Sequence, residues 1–216
     1  MRVITDELMA SCSFLREVLL CENRNQYLEK IKNDRFLRDK YLRFLSIHSE
    51  WSKKTENLLM DTVNGEISEK NFLKLREYAK DCVKKYDNAF LAVEKEAEKI
   101  RNGSDSNVAA IAGAYVFHDA ELETFRINSD YEVYLAVLNN VGSQLYEIQF
   151  RNTSVINETN ISFCQGADII YTELWELADK TYEFNLHLYN YIIRDFINLK
   201  FAFNKVMVKI IPYSEE

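Results

Sequence analysis

The spacing of the apolar side chains changes near residue 103, and this change constrains the possible folds more than any other feature of the sequence. Before residue 103, apolar residues recur at steps of three and four, which is the repeat of one helix face. After it, they alternate with polar residues, as in half-buried β-strands. We therefore predict an α+β protein. A helical bundle or hairpin occupies residues 1–103, and an antiparallel β-sheet or partly closed barrel occupies residues 104–216.

The helical pattern divides into three parts. Thr5 is placed to cap a first helix, and a second apolar stripe begins at Tyr27. After a stop at Asn64-Gly65, Ser68 opens the longest pattern, whose apolar positions are Phe72, Leu75, Ala79, Cys82, Val83, Tyr86, Phe90, Val93, Ala97 and Ile100. A helix of this length needs partners along its face, which an antiparallel bundle provides. The same stripe leaves open a homodimer through helix 68–101.

The pattern of the second half predicts six or seven strands joined by short turns. Regular alternation marks residues 146–150, 182–188, 197–203 and 206–210, and less regular strands are expected over 115–127, 131–139 and 169–178. Turn residues occur at 128–130, 139–142, 179–180 and 204–205, and such short connections predict antiparallel pairing. The segment 168–178 fits either a strand or an amphipathic helix. The polar run 102–107 is interpreted as a helix stop followed by a linker.

The charge balance differs between the two halves. Residues 1–102 carry 20 basic and 18 acidic residues, whereas residues 103–216 carry 7 and 16. With a formal net charge of -7, the chain is a poor candidate for nucleic-acid binding. An acidic sheet domain instead favours a basic protein partner. No transmembrane span is predicted, so no membrane partner is expected.

Several features predict a cytoplasmic protein without a cofactor. The N-terminus shows no export signal, because acidic residues arrive at Asp6 and Glu7. The four cysteines form no CxxC pair and are interpreted as reduced, apolar positions. The five glycines build no phosphate-binding loop.

Candidate functional side chains cluster at the predicted start of the first strand. Adjacent His and Asp residues, here His118-Asp119, occur in metal-dependent phosphohydrolases, but those sites need further histidines, and only His48 and His187 remain. Adjacent strand residues also point to opposite faces. We therefore predict no metal site and assign no catalytic residue.

Strand alternation places the three acidic side chains Asp119, Glu121 and Glu123 on one face. We interpret this face as solvated and as a binding surface for a basic partner, with Trp175 as an aromatic candidate elsewhere in the sheet domain. The alternative is a metal-dependent or carboxylate-based hydrolase that uses His118, Asp119 and Glu121.

The stretch Val116-Phe117-His118-Asp119-Ala120-Glu121-Leu122-Glu123, followed by paired strands, resembles the opening of the β-rich part of an uncharacterised Gram-positive bacterial family, domain of unknown function 4085. The start Val3-Ile4-Thr5-Asp6-Glu7-Leu8 is similar to the start of that family's charged helical part. The Phe-His-Asp opening also resembles small proteins thought to act as immunity partners of bacterial toxins. The resemblance implies a bacterial cytoplasmic setting and supplies no catalytic residue.

Two classes of function therefore remain open at this point. The first is a non-catalytic protein-binding module, either immunity-like or an adaptor. The second is the hydrolase described above.

Overall fold

The chain folds as an α+β protein, with helices in its first part and one antiparallel sheet in its second, as predicted. The computed structural model describes residues 8, 15–35, 37–39, 42, 57–58, 60–128, 131–139, 143–157, 161–193 and 195–213. By its internal contacts the chain divides into two compact units, Val3–Phe90 and a second that contains Leu91–Glu216.

The helical unit contains α1, Arg24–Asn33, and most of α2, Glu69–Gly103. Asn23 caps α1 by accepting a hydrogen bond from the Gln26 N–H group, and Ser68 caps α2 through the Asn71 N–H group. The predicted stop is also present, because Gly65 has a φ of 76°, which glycine adopts without strain. The core of this unit consists of Leu15, Val18, Cys21, Tyr27, Ile31, Leu37, Val63, Ile67, Phe72, Leu75, Ala79 and Cys82. The predicted cap at Thr5 lies outside the described residues, as does most of the second stripe beyond residue 39.

The long helix α2 confirms the predicted stripe and its end at Gly103. The predicted linker at 102–107 is wrong in part, because a short helix, α3 (Ser106–Ala110), follows at once. Asp105 makes this turn by accepting hydrogen bonds from two N–H groups of the helix. No helix within the described ranges combines the length and the hydrophobicity that a membrane span requires.

The sheet contains eight strands within the described part of the chain. They are β1 (Ala120–Asn128), β2 (Glu132–Asn139), β3 (Gln144–Arg151), β4 (Ser154–Asn157), β5 (Ala167–Ala178), β6 (Thr181–Asn190), β7 (Asp195–Phe203) and β8 (Lys205–Pro212). All of the pairs are antiparallel, and the order is β4-β7-β6-β5-β1-β2-β3-β8. The segment 168–178 is therefore a strand. The short strand β4 has no counterpart in the predicted pattern.

The predicted reversal at Asn204-Lys205 is wrong. Asn204 is the single residue between β7 and β8, and these two strands pair with different neighbours instead of with each other. The chain bends here without turning back. At the bend, the Asn152 side-chain amide donates a hydrogen bond of 2.9 Å to the Asn204 amide oxygen.

A continuous bent ribbon links the two ends of the strand order. Arg151 lies opposite Lys205, and Ser154 lies opposite Ala202. The two pairs are three residues apart along each of the two segments, so one register is kept through both bends. The end strands β4 and β8 do not pair with each other among the described residues, and the sheet is not closed. It nevertheless curls enough to bring inward side chains from distant strands together.

Phenylalanine rings fill the interior of this curled sheet. The Phe150 ring of β3 lies 4.8 Å from those of Phe201 and Phe203 on β7, and 5.4 Å from that of Phe184 on β6. All four rings are fully buried. Ala97 and Ile100, from the last turns of α2, belong to the same core. This core fixes the strands whose outer faces and ends carry the polar groups described next.

Candidate functional site

His118 and Asp119 do not begin the first strand, as the sequence pattern predicted. They belong to the turn that precedes β1, which starts at Ala120. Asp119 has a φ of 60°, a left-handed conformation that aspartate tolerates better than most residues, and its N–H group donates to the Ile169 carbonyl. The expectation that the two side chains point to opposite faces is therefore wrong, since that rule applies only within a strand. His118 Nδ1 lies 3.2 Å from the Asp119 carboxylate, and the imidazole stacks on Tyr115 with centroids 5.0 Å apart.

Strand alternation does not place Asp119 on the predicted acidic face, because β1 starts at Ala120, but pairing between β1 and β5 brings Asp168 beside Glu121. Glu121 lies directly opposite Asp168, and the register shifts at Glu123, between Leu122 and Thr124. Burial raises the pKa of Glu121, and the charges of Glu123 and Asp168 raise it further. Asp119 also acts on the same region, because its charge contributes to the raised pKa of Tyr191. We call Asp119, Glu121, Glu123 and Asp168 the acidic surface.

Aromatic and apolar side chains lie beside the acidic surface, in the connection between β6 and β7. A hydrogen bond to Asp168 raises the pKa of the Tyr191 hydroxyl, with a smaller contribution from burial. The Tyr191 ring packs edge-on against Tyr189 at 4.8 Å, yet 63% of Tyr191 remains exposed. The next residue, Ile192, is 89% exposed. We call residues 191–193 the Tyr191 loop.

Asn190 holds the Tyr191 loop in place. Its side-chain Nδ2 donates to the Phe163 carbonyl at 2.7 Å, which ties the loop to the short 3-10 helix Ile161–Phe163. Its Oδ1 accepts from the N–H groups of Ile192 at 2.8 Å and Ile193 at 3.2 Å. Because Asn190 is only 2% exposed, these bonds are shielded from water. The buried amide of Asn190 thus ties the loop backbone to Phe163.

Trp175 lies far from the acidic surface and belongs to a different group of side chains. It is seven residues beyond Asp168 on β5, about 20 Å along the strand. Its indole N–H group donates to Glu173 at 3.0 Å. Glu173 is fully buried, and one of its oxygens lies 3.8 Å from His187 Nε2. The His187 ring stacks on Tyr171 at 3.9 Å.

A second acid continues this group across β6 and β7. Glu183 accepts from Lys200 Nζ at 2.8 Å and from Asn185 Nδ2 at 3.2 Å. Burial acts to raise the pKa of Glu183, but the hydrogen bonds from Lys200 and Asn185 outweigh it, so the pKa lies below its ordinary value. We call Glu173, Glu183, Asn185, His187 and Lys200 the buried polar cluster.

The buried polar cluster was missed by the sequence pattern. The polar residues of β6 alternate with the core residues Phe184 and Leu186, so the pattern assigned them to a solvated outer face. The structure instead leaves Glu183 5%, Asn185 2% and His187 3% exposed. The opposite charges of Glu183 and Lys200 on consecutive strands are the sequence signal that could have indicated this cluster.

No group of three or more His, Cys, Asp and Glu side chains in the described parts of the chain is arranged to hold a metal ion. His48 lies outside those parts. Cys164 is fully buried, and burial raises the pKa of its thiol to about 11, so the thiolate nucleophile is scarce at neutral pH.

Comparison with protein-family models, with curated proteins and with solved structures finds no match to this chain. The resemblance to domain of unknown function 4085 and to immunity proteins therefore stays a prediction.

Proposed function

We propose that the protein is a non-catalytic binding module, immunity-like or an adaptor, that captures a basic protein through the acidic surface. The observation that carries the proposal is the pairing of Glu121 with Asp168, which adds a carboxylate from a distant strand to the predicted acidic group. Exposed Tyr191 lies beside Asp168, because its ring packs against Tyr189 opposite that residue, and exposed Ile192 follows Tyr191 in the chain. Charge beside a small apolar contact is the usual composition of a protein interface.

The charge of this region gives the surface a specific physical role. Residues 103–216 carry 16 acidic and 7 basic residues, so the approach of a basic partner is favoured over a distance set by ionic screening. Such fields mainly raise association rates, whereas buried apolar contacts slow dissociation. The same charge disfavours nucleic acid and disfavours a second copy of the chain at this surface.

The test compares two variants with equal net charge. Glu121→Gln with Glu123→Gln neutralises half of the acidic surface, whereas Glu98→Gln with Asp179→Asn removes two charges from exposed positions outside it. Proteins that the wild type captures from a bacterial extract are identified, and the affinity of each is then measured against salt concentration. The proposal expects affinity to fall as salt rises and expects the first variant alone to lower both the affinity and its salt dependence.

A salt-independent affinity, or equal losses in both variants, contradicts the proposal. The homodimer predicted through helix 68–101 is a separate hypothesis, and sedimentation of the purified protein over a range of concentrations tests it.

The hydrolase that uses His118, Asp119 and Glu121 is the second candidate. It is supported by the raised pKa of Glu121, which lies beside two other carboxylates, as a general acid requires. The side chain of Asp119 is 72% exposed and that of His118 39% exposed, so the binding module is the better-supported proposal. Hydrolysis of a panel of ester and phosphate substrates, abolished by Glu121→Gln alone, would favour the hydrolase.

We also propose a cytoplasmic setting. Cys21 is a buried free thiol, which suits a reducing compartment. Expression of a tagged chain followed by cell fractionation tests the setting directly.

A further inference from the structure

We infer that the Tyr191 loop is the anchor of the partner complex and that the segment it binds carries an apolar or aromatic side chain next to Lys or Arg. This inference rests on the proposed function, because it assigns the contact that holds a partner after the acidic surface has attracted it. Nothing in the sequence pattern singled out Ile192.

Ile192 is almost wholly exposed to solvent. A fully exposed isoleucine forgoes about 2 kcal/mol of burial free energy, and this one is 89% exposed. Tyr191 before it is 63% exposed, and Ile193 after it is 36% exposed. Three consecutive large side chains in one surface turn form a small apolar contact of the kind that a partner residue can cover.

Hydrogen bonds from a buried side chain order the backbone of the loop. Asn190 is buried and makes three hydrogen bonds to the chain around it, two of them to the N–H groups of Ile192 and Ile193. Ordering a mobile loop on binding costs free energy, and a loop that is already ordered avoids that cost. Exposed apolar side chains on a backbone fixed by a buried amide therefore suit a binding anchor.

The groups around Tyr191 define the chemistry of the segment that it binds. Asp168 lies directly opposite Tyr189 in the pairing of β5 with β6, and the Tyr191 ring packs against Tyr189, so an exposed aromatic face lies beside this carboxylate. A guanidinium can stack on such a face while it pairs with the neighbouring carboxylates. An apolar residue on Ile192 with an Arg or Lys beside it satisfies both parts of this surface.

The probe is a phage-displayed library of random twelve-residue peptides, panned against the wild-type protein. The most enriched peptide is synthesised with a fluorescent label, and its Kd is measured by anisotropy at low and high salt. Ile192→Ser is the test variant. Ile210→Ser is the control, because Ile210 is also an exposed isoleucine (48%) but lies on β8.

The inference expects peptides that combine Lys or Arg with an aromatic or aliphatic residue. It expects Ile192→Ser to weaken binding about tenfold or more, as for an interface hot spot. Ile210→Ser should leave Kd unchanged. Salt should weaken binding to the wild type and to Ile192→Ser in the same proportion.

Two different outcomes overturn the inference. If basic, salt-sensitive peptides bind Ile192→Ser as tightly as the wild type, the anchor is wrong while the acidic surface stands. If no peptide is enriched, or the enriched peptides lack basic residues and ignore salt, the proposed function fails and the anchor fails with it.

Discussion

Replacing Lys200 by Met should destabilise the sheet much more than the same change at Lys209. Lys200 pairs with Glu183 at 2.8 Å, where the side chains are 26% and 7% exposed. Lys209 pairs with Glu147 at 3.2 Å, where they are 71% and 34% exposed. Both lysines lie on strands and reach a glutamate on the neighbouring strand, so the comparison isolates burial.

The magnitude follows from what each substitution leaves behind. Removing one partner of a fully buried ion pair costs about 3–5 kcal/mol, because the remaining charge is stranded. Lys200 is partly exposed and Glu183 keeps its bond from Asn185, so we expect a loss of about 2–3 kcal/mol. The exposed Lys209 pair should contribute less than about 0.5 kcal/mol.

The assay is urea unfolding, followed by the fluorescence of Trp175 in a Trp51→Phe background common to all variants. Trp175 is suited to this purpose because its indole bonds to Glu173 within the same outer face. With a slope of about 2 kcal/mol/M, Lys200→Met should lower the midpoint by about 1 M, and Lys209→Met should leave it nearly unchanged.

The loss should also depend on pH in a defined direction. The pKa of Glu183 is lowered in the folded wild type, so its contribution is present above the ordinary glutamate pKa and is lost as pH falls through the lowered value. In Lys200→Met, burial is left to raise that pKa, so protonation relieves the stranded charge. The stability difference should therefore shrink as pH falls from 7 toward about 4. Equal losses at Lys200 and Lys209, or a difference that grows toward acid pH, would refute this reasoning.

Three further predictions concern the core, a cap and a thiol. Phe150→Ala should cost about 3–5 kcal/mol by urea unfolding, because it leaves a cavity among the rings that join distant strands, and a loss below about 1 kcal/mol would speak against the curled sheet. Asp105→Ala should cost about 1 kcal/mol in the same assay, since two helix N–H groups lose their acceptor, and no change would mean that the cap contributes nothing. Cys164 should resist iodoacetamide at pH 8 in the folded protein and react in urea, and rapid labelling of the native chain would contradict its burial.

The parts of the fold that the sequence predicts are those governed by local periodicity. Apolar residues at steps of three and four predict the buried face of α2, and Ser68 and Gly103 predict its two ends. The sequence left open whether residues 168–178 form a strand or an amphipathic helix. They belong to a strand, 167–178, whose β-branched and aromatic residues pair with β6 along most of its length.

Local rules failed where a single residue changed the path of the chain. Asparagine is common in turns, but Asn204 is the single residue between β7 and β8, and here the chain bends without reversing its direction. Asp119 takes a left-handed φ, which ends the alternation that the pattern extended backward from Glu121. The five residues of α3 are too few to show a helical period, although Asp105 supplies a cap signal.

The candidate surfaces depend on pairings that no local pattern contains. Asp168 joins Glu121 only because β1 and β5 are neighbours, and Asn190 orders the next loop by reaching Phe163. The outer face of β6 is buried at Glu183, and strand periodicity distinguishes two faces without saying which of them reaches water.

The most direct test of the proposed function is the association rate constant of a captured partner, measured by stopped flow at ionic strengths from about 20 mM to about 300 mM. The proposal predicts a fall of about tenfold or more for the wild type and for Glu98→Gln/Asp179→Asn, with a clearly shallower fall for Glu121→Gln/Glu123→Gln. A rate constant that does not change with ionic strength, or that changes identically in all three proteins, would contradict capture through the acidic surface.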